Sequence, residues 1–290
     1  MQGLAVLQKV MKMRSYILNN NIKIFYFSAT ETTRKIVTGI AGKLAESSGG
    51  KAVVKIDFTL PDGRKEPASF TKQDIVIAGV PVYAGRVPNV LSKYLNTMEG
   101  NGALTVAVVV YGNRHYDDAL IEWRDILESR GFKVLAAGAF IGEHSFSRIL
   151  GHNRPDVQDM SCVAEFAGRI HEKLTTSPNT PRTVSVPGKQ PYQPYYRPKD
   201  KDGNPVAIHK VIPKTSGDCI HCGLCVSLCP MGSIDEDDES NITGICIKCC
   251  ACIKNCPVEA KHFDDANFLW HKQELEVAFT SPRREPELFL

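Results

Sequence analysis

The first two-thirds of the chain almost lack cysteine, since Cys162 stands alone there. That scarcity excludes a disulfide-stapled scaffold for this part of the protein. No stretch approaches the roughly 20 apolar residues that a membrane-spanning helix needs. In the opening segment MQGLAVLQKVMKMRSYILNN, Lys9, Lys12 and Arg14 interrupt the apolar positions too early for a secretory signal. A cytoplasmic protein is expected, with Met11 and Met13 as alternative starts. Neither sign of charge is in excess: 35 basic and 32 acidic residues leave a net charge of +3, which gives no reason to propose nucleic acid as a partner. No G-x-G-x-x-G follows a strand, so nothing marks a dinucleotide site.

What is present is a regular alternation between residues 21 and 176. Short apolar runs at 22–27, 52–58, 74–79, 104–110 and 133–140 read as strands. The run VAVVV (Val106–Val110) is apolar on both faces, as in a buried parallel sheet. Amphipathic stretches at 33–47, 88–98, 116–130 and 155–174 read as helices, with Pro88 and Pro155 in first turns. Strands alternating with helices imply right-handed crossovers and a doubly wound α/β sheet. Five strands in about 155 residues suit the flavodoxin-like order 2-1-3-4-5.

Eight of the 17 prolines fall between residues 177 and 213, which marks an extended connector. Tyr192, Tyr195 and Tyr196 are positioned to pin it onto a domain. A small α+β module then occupies residues 214–262. The remaining segment, 263–290, ends in SPRREPELFL and is apolar enough to pack back on the protein.

The other nine cysteines lie between Cys219 and Cys256, in two similar runs. CIHCGLCVSLCP carries Cys219, Cys222, Cys225 and Cys229; CIKCCACIKNCP carries Cys246, Cys249, Cys252 and Cys256. Both obey C-x₂-C-x₂-C-x₃-C-P. In that pattern three thiolates wrap one face of an iron–sulfur cubane, and the fourth ligates the other cluster. Cys219, Cys222, Cys225 and Cys256 therefore form one ligand set for a [4Fe–4S] cluster. Cys246, Cys249, Cys252 and Cys229 form the second. Structural zinc needs one Cys₄ set, not two complete quartets that each end in Cys-Pro. Ile220, Ile234, Ile245, Ile247 and Ile253 supply an apolar shell, and Cys250 is surplus to both quartets. This module is similar to a clostridial-type ferredoxin.

Three segments lie at carboxyl ends of strands, where open α/β sheets bind ligands. FSATETTRKI places Ser28, Thr30, Glu31, Thr32 and Thr33 at a strand-to-helix turn that favours a phosphate. It resembles the flavodoxin phosphate loop, with Glu31 standing where that family has glycine. Capping of the first helix is the alternative role for these hydroxyls. GVPVYAGRVPNV contributes Pro81, Val82, Tyr83, Ala84, Gly85 and Arg86, and YGNRHYDD contributes Tyr111, Gly112, Asn113 and Arg114. These correspond to the two loops that bracket the isoalloxazine ring in flavodoxins, which makes FMN the expected cofactor. Arg86 and Arg114 are either counter-charges for reduced flavin or solvated side chains. In GEHSFS, His144 and Glu143 are candidates for a proton relay or a substrate contact, or they face solvent. The acidic run DEDDE (Asp235–Glu239) either steers a basic partner or is a solvated loop.

From about Asn21 to its end the chain resembles the fused flavodoxin–ferredoxin proteins (EFR-type ferrodoxins) of anaerobic bacteria and archaea. The resemblance implies electron transfer between two [4Fe–4S] clusters and FMN, with a redox protein as partner. Two alternatives stand beside it. One is an FMN-dependent reductase of a small acceptor, fed by the clusters, with His144 or Tyr111 near the substrate. The other is a ferredoxin fused to a flavin-free interaction domain.

Overall fold

The computed structural model describes residues 20–176 and 183–290. Most of the N-terminal extension and the start of the connector, 177–182, lie outside the described residues. The sequence-predicted strands form within two residues of their expected ends: β1 Asn21–Tyr26, β2 Val53–Asp57, β3 Asp74–Pro81, β4 Leu104–Tyr111 and β5 Lys133–Ile141. All five are parallel, in the order 2-1-3-4-5 of a flavodoxin-like fold. Every residue of β4 is buried, as its unbroken apolar run requires.

The long helices are α1 Thr32–Ser47, α3 Ala119–Ser129 and α4 Val157–Thr176. The helix expected from Pro88 is shorter. Pro88 precedes a 3₁₀ turn, Asn89–Leu91, and only α2, Ser92–Leu95, is α-helical. Each face of the sheet has its own core. Ile36, Ile40 and Leu44 of α1 pack with Val163, Phe166 and Ile170 of α4 on one side. Trp123 and Leu127 of α3 pack with Phe25, Phe58 and Phe70 on the other. Burying a side chain of this size is worth about 1.5–3 kcal/mol.

The sheet has a sixth strand that the periodicity did not reveal. β8, Glu287–Phe289, runs antiparallel along β5 and covers what would be an open edge. Three residues are too few for a period-2 signal, so their pairing is a tertiary effect. The connector is also packed. Val184 and Val186 enter the core, the Tyr192 hydroxyl donates to Asp125 (2.7 Å), and Tyr195 donates to the Val87 carbonyl (2.7 Å).

The cysteine module is built around a two-stranded ribbon of β6 Lys214–Thr215 and β7 Lys261–His262, with one-turn helices α5 Leu224–Ser227 and α6 Ala251–Lys254. These two turns are related by the 27-residue sequence repeat, and the backbone follows it. His221, Gly223 and Gly232 have φ of 53°, 66° and 57°; their counterparts Lys248, Cys250 and Glu259 have 54°, 60° and 54°. α7, Ala266–Phe279, then leads back to the larger domain, its N-terminus capped by Asp265.

Candidate functional site

Two separate cavities gather the cysteines crosswise. One is lined by Cys219, Cys222, Cys225 and Cys256, the other by Cys229, Cys246, Cys249 and Cys252. The repeat reaches the sulfur atoms as well. The Ser233 amide donates to Cys229 Sγ (3.4 Å), and the Ala260 amide donates to Cys256 Sγ (3.2 Å). Each crossing cysteine thus accepts from the residue four positions on. Backbone N–H groups aimed at sulfur favour thiolate over thiol.

The two cavities differ in burial. Burial pushes the Cys249 and Cys252 thiols up to about 12, whereas Cys256 ends below its usual value because four backbone amides outweigh its desolvation. A metal bound at the buried set would have to drive deprotonation of these thiols. Cys250 is buried and lines the second cavity, its Sγ near the Lys248 carbonyl (3.5 Å). It occupies the left-handed position that Gly223 fills in the first repeat.

At the carboxyl edge of the larger sheet, a cleft brings together Ser28, Thr30, Thr32 and Thr33 with Pro81, Val82, Tyr83, Ala84 and Gly85, and with Tyr111, Gly112 and Arg114. Sixteen-residue α1 begins here and points its N-terminus into the cleft, a favourable setting for phosphate. Ser28 is also a capping residue, since its Oγ accepts from the Arg34 amide (3.0 Å). Three expected contacts are absent from the cleft. Glu31 takes the left-handed conformation (φ 66°) that suits the family's glycine, but its carboxylate turns outward to Arg34 (2.7 Å). Arg86 is drawn away by a two-pronged pair with Glu122 (2.7 and 2.8 Å) and stacks against Tyr192 and Tyr195 of the connector. Asn113 faces the C-terminal segment, donating to the Phe279 carbonyl (2.6 Å) and accepting from the Arg284 amide (3.1 Å).

The two glycines also act differently from expectation. A Cβ on Gly85 would sit 2.2 Å from Asp117 Oδ2, and one on Gly112 would sit 2.4 Å from His144. They let neighbouring loops close on one another. Arg114 pairs with Asp117 and lies over the Tyr196 ring, its guanidinium 5.0 Å from the centroid. Tyr111 is buried, which raises its hydroxyl to about 12. The structure adds His115 to the cleft; it stacks on Tyr116 at 4.9 Å, and only its place directly after YGNR could have pointed to it. His144 and Glu143 line the cleft as well. Burial, with Lys254, His271 and Arg114 nearby, lowers the His144 imidazole to about 3, so it is neutral at ordinary pH.

The cleft continues into a second cavity of about 210 Å³, sharing Val82, Tyr83, Ala84, Arg114, His144 and Ser145 with it. Its far wall is Ile247 and Lys248 of the second cysteine run, roofed by Tyr196 of the connector and by His271 and Leu275 of α7. Lys254 is one of the contacts that tie the two modules together. Its ammonium donates to Glu143 Oε1 (2.6 Å) and to the carbonyls of His144 (2.7 Å) and Ser147 (3.0 Å). Lys254 stands on α6 between Cys252 and Cys256, one cysteine from each crossed set.

The 4Fe-4S binding domain family matches residues 212–235, which hold the first cysteine run. The comparison with curated proteins gave no match. Among solved structures, a Streptococcus pneumoniae TIGR4 flavodoxin is 18% identical, with 52% of this chain and 98% of that chain covered and a TM-score of 0.37. A Megasphaera elsdenii flavodoxin is 16% identical, over 51% of this chain and 98% of its own, with a TM-score of 0.35. An NADH:FMN oxidoreductase in its apo form is 15% identical, over 56% and 94%, with a TM-score of 0.40. The class defined by the strand order, the cysteine geometry and the family match is an iron–sulfur protein: a flavodoxin-like domain joined to a ferredoxin-type 4Fe–4S binding domain. No helix among the described residues is long and apolar enough to cross a membrane.

Proposed function

We propose that the chain is an electron-transfer iron–sulfur flavoprotein, carrying two [4Fe–4S] clusters and FMN and working with a redox protein as partner. The observation that supports this most is the shared wall: the cavity beyond the Tyr83 loop is closed by Ile247 and Lys248, between two ligands of the second cysteine set. When bound, the clusters supply single electrons and the flavin accepts one or two. The protein's own residues position and insulate. Cys219, Cys222, Cys225 and Cys256 hold the outer cluster; Cys229, Cys246, Cys249 and Cys252 hold the inner one. Thr30, Thr32, Thr33 and the start of α1 receive the phosphate. Tyr83 and Tyr111 wall the ring site, while Tyr196, His271 and Leu275 exclude water from it. Lys254 keeps the inner cysteines and the His144 loop in one arrangement.

The alternative, a reductase acting on a small acceptor, draws on the same cavity, with neutral His144 in its wall. Ile247 and Lys248, which lie between two cysteines of the inner set, line that cavity as well, and this favours the carrier. Anaerobic purification with iron, acid-labile sulfide and released flavin measured on one sample tests the proposal. About eight iron, eight sulfide and one FMN per chain are expected. Full iron without flavin, even after FMN is added back, would leave a two-cluster ferredoxin joined to a domain with another role.

A further inference from the structure

The repeat places His221 and Lys248 at the same position, and both backbones are left-handed there (φ 53° and 54°). Their surroundings differ. His221 stands in solvent, its Nδ1 2.8 Å from Glu239 Oε2. The outer cavity is lined by one carboxylate, Glu239, and one ammonium, Lys261, whose charges oppose each other. Lys248 is only 8% exposed, and it is the one charged side chain that lines the inner cavity. Its ammonium donates to the carbonyls of His209 (2.7 Å) and Cys246 (2.7 Å). Among the described residues, no carboxylate pairs with it. The neighbouring Lys254, by contrast, has Glu143.

A buried charge without a counter-ion is costly, so a buried ammonium facing four cysteines marks a place where negative charge belongs. Four thiolates make a bound cluster anionic, and every electron added makes it more so. Burial opposes that gain, while a nearby cation favours it. The inner set is the more buried, with Cys249 at 8% exposure against an exposed Cys222 in the outer set. It is therefore the set in greater need of a positive charge. Lys248 is also well placed for a relay: it and Ile247 line both the inner cavity and the cavity that opens from the larger domain's cleft.

We propose that Lys248 is the counter-charge that keeps the buried inner cluster reducible, and so lets it relay electrons between the outer cluster and the flavin site. This rests on the electron-transfer proposal above and adds the residue that sets the inner potential. Electrons move singly: the outer cluster loses one, the inner cluster gains it, and the flavin takes it up, or the reverse. Lys248 keeps its proton, and no bond is made or broken.

The test uses full-length, cluster-loaded protein and reads reduction potentials. Wild type, Lys248→Gln and Lys248→Arg are titrated anaerobically with redox mediators, and each cluster is followed by electron paramagnetic resonance. Glutamine keeps a donor for the two carbonyls but removes the charge; arginine keeps both. The control is Lys72→Gln, an exposed lysine on the larger domain, for the same change in net charge. In Lys248→Gln one cluster should become about tenfold or more harder to reduce, about 59 mV for a one-electron couple, while the other does not move. Lys248→Arg and Lys72→Gln should match the wild type. No shift in Lys248→Gln, or an equal shift of both clusters, would overturn the assignment. Where glutamine leaves only half the iron bound, full iron in Lys248→Arg supports the counter-charge, and half again overturns it. The underlying proposal fails by a different sign: about four iron in the wild type would contradict two clusters, and absent FMN would leave the cluster titration unchanged.

Discussion

The two cysteine runs share spacing, backbone angles and N–H···S bonds, but they differ in burial. The N-terminal run is the more exposed, with Cys222 in solvent and the buried Glu239 beside Cys219. The C-terminal run is turned to the protein, with Cys249 buried and Ile247 and Lys248 against the cavity that opens from the larger domain's cleft. A sequence repeat therefore specifies two equivalent cysteine sets, and what surrounds each set makes them unequal. The runs also differ at the positions between the cysteines. His221 and Gly223 in the N-terminal run are matched by Lys248 and Cys250 in the C-terminal one.

The largest way to break this comparison is to remove a crossing ligand. Cys256→Ala should empty the outer site and Cys229→Ala the inner one, each leaving about half the iron. A single-run assignment predicts the reverse, and iron content with cluster spectra on both variants distinguishes the two. Next in size is Lys254→Met, which strips three hydrogen bonds and leaves Glu143 without its cation. A cost of about 2–4 kcal/mol is expected for the contact between the modules, read as weaker FMN binding with iron content intact.

A smaller effect is set by pH. His144 is held neutral, with its folded value lowered to about 3 against an unfolded value of about 6.5. Between those limits the unfolded chain binds one more proton, so His144 contributes stability above about pH 6.5 and loses it as pH falls. The difference in denaturant stability between wild type and His144→Asn should therefore shrink by up to about 1.4 kcal/mol per pH unit below pH 6. A constant difference would show that His144 is not buried in its neutral form. The smallest change sharpens the repeat: Cys250→Gly should retain all the iron and add about 1 kcal/mol of stability, by relieving a left-handed non-glycine residue. Loss of iron in that variant would make Cys250 a ligand after all.

The parallel strands were legible because strands buried on both faces need unbroken apolar runs, as in Val106–Val110. The cysteine quartets were legible because a cubane imposes their spacing. The contacts of Arg86, Asn113 and Glu31 were not, and the reasons are physical. Arg86 is claimed by Glu122 and by two connector tyrosines more than 100 residues away in sequence, and Asn113 by the C-terminal segment. Nothing in the local pattern announces a partner that arrives from the end of the chain. Glu31 is subtler: its backbone obeys the loop's demand for positive φ, but the direction of its carboxylate is set by Arg34, one helical turn on.

The central claim is that the inner cysteine set, and not merely its module, feeds the flavin site. Anaerobic rapid mixing with a one-electron reductant, following flavin bleaching in FMN-loaded wild type and Cys229→Ala, tests it most directly. The account predicts fast flavin reduction in the wild type and a collapse of that rate in Cys229→Ala, with FMN still bound. An unchanged rate in the variant would contradict it.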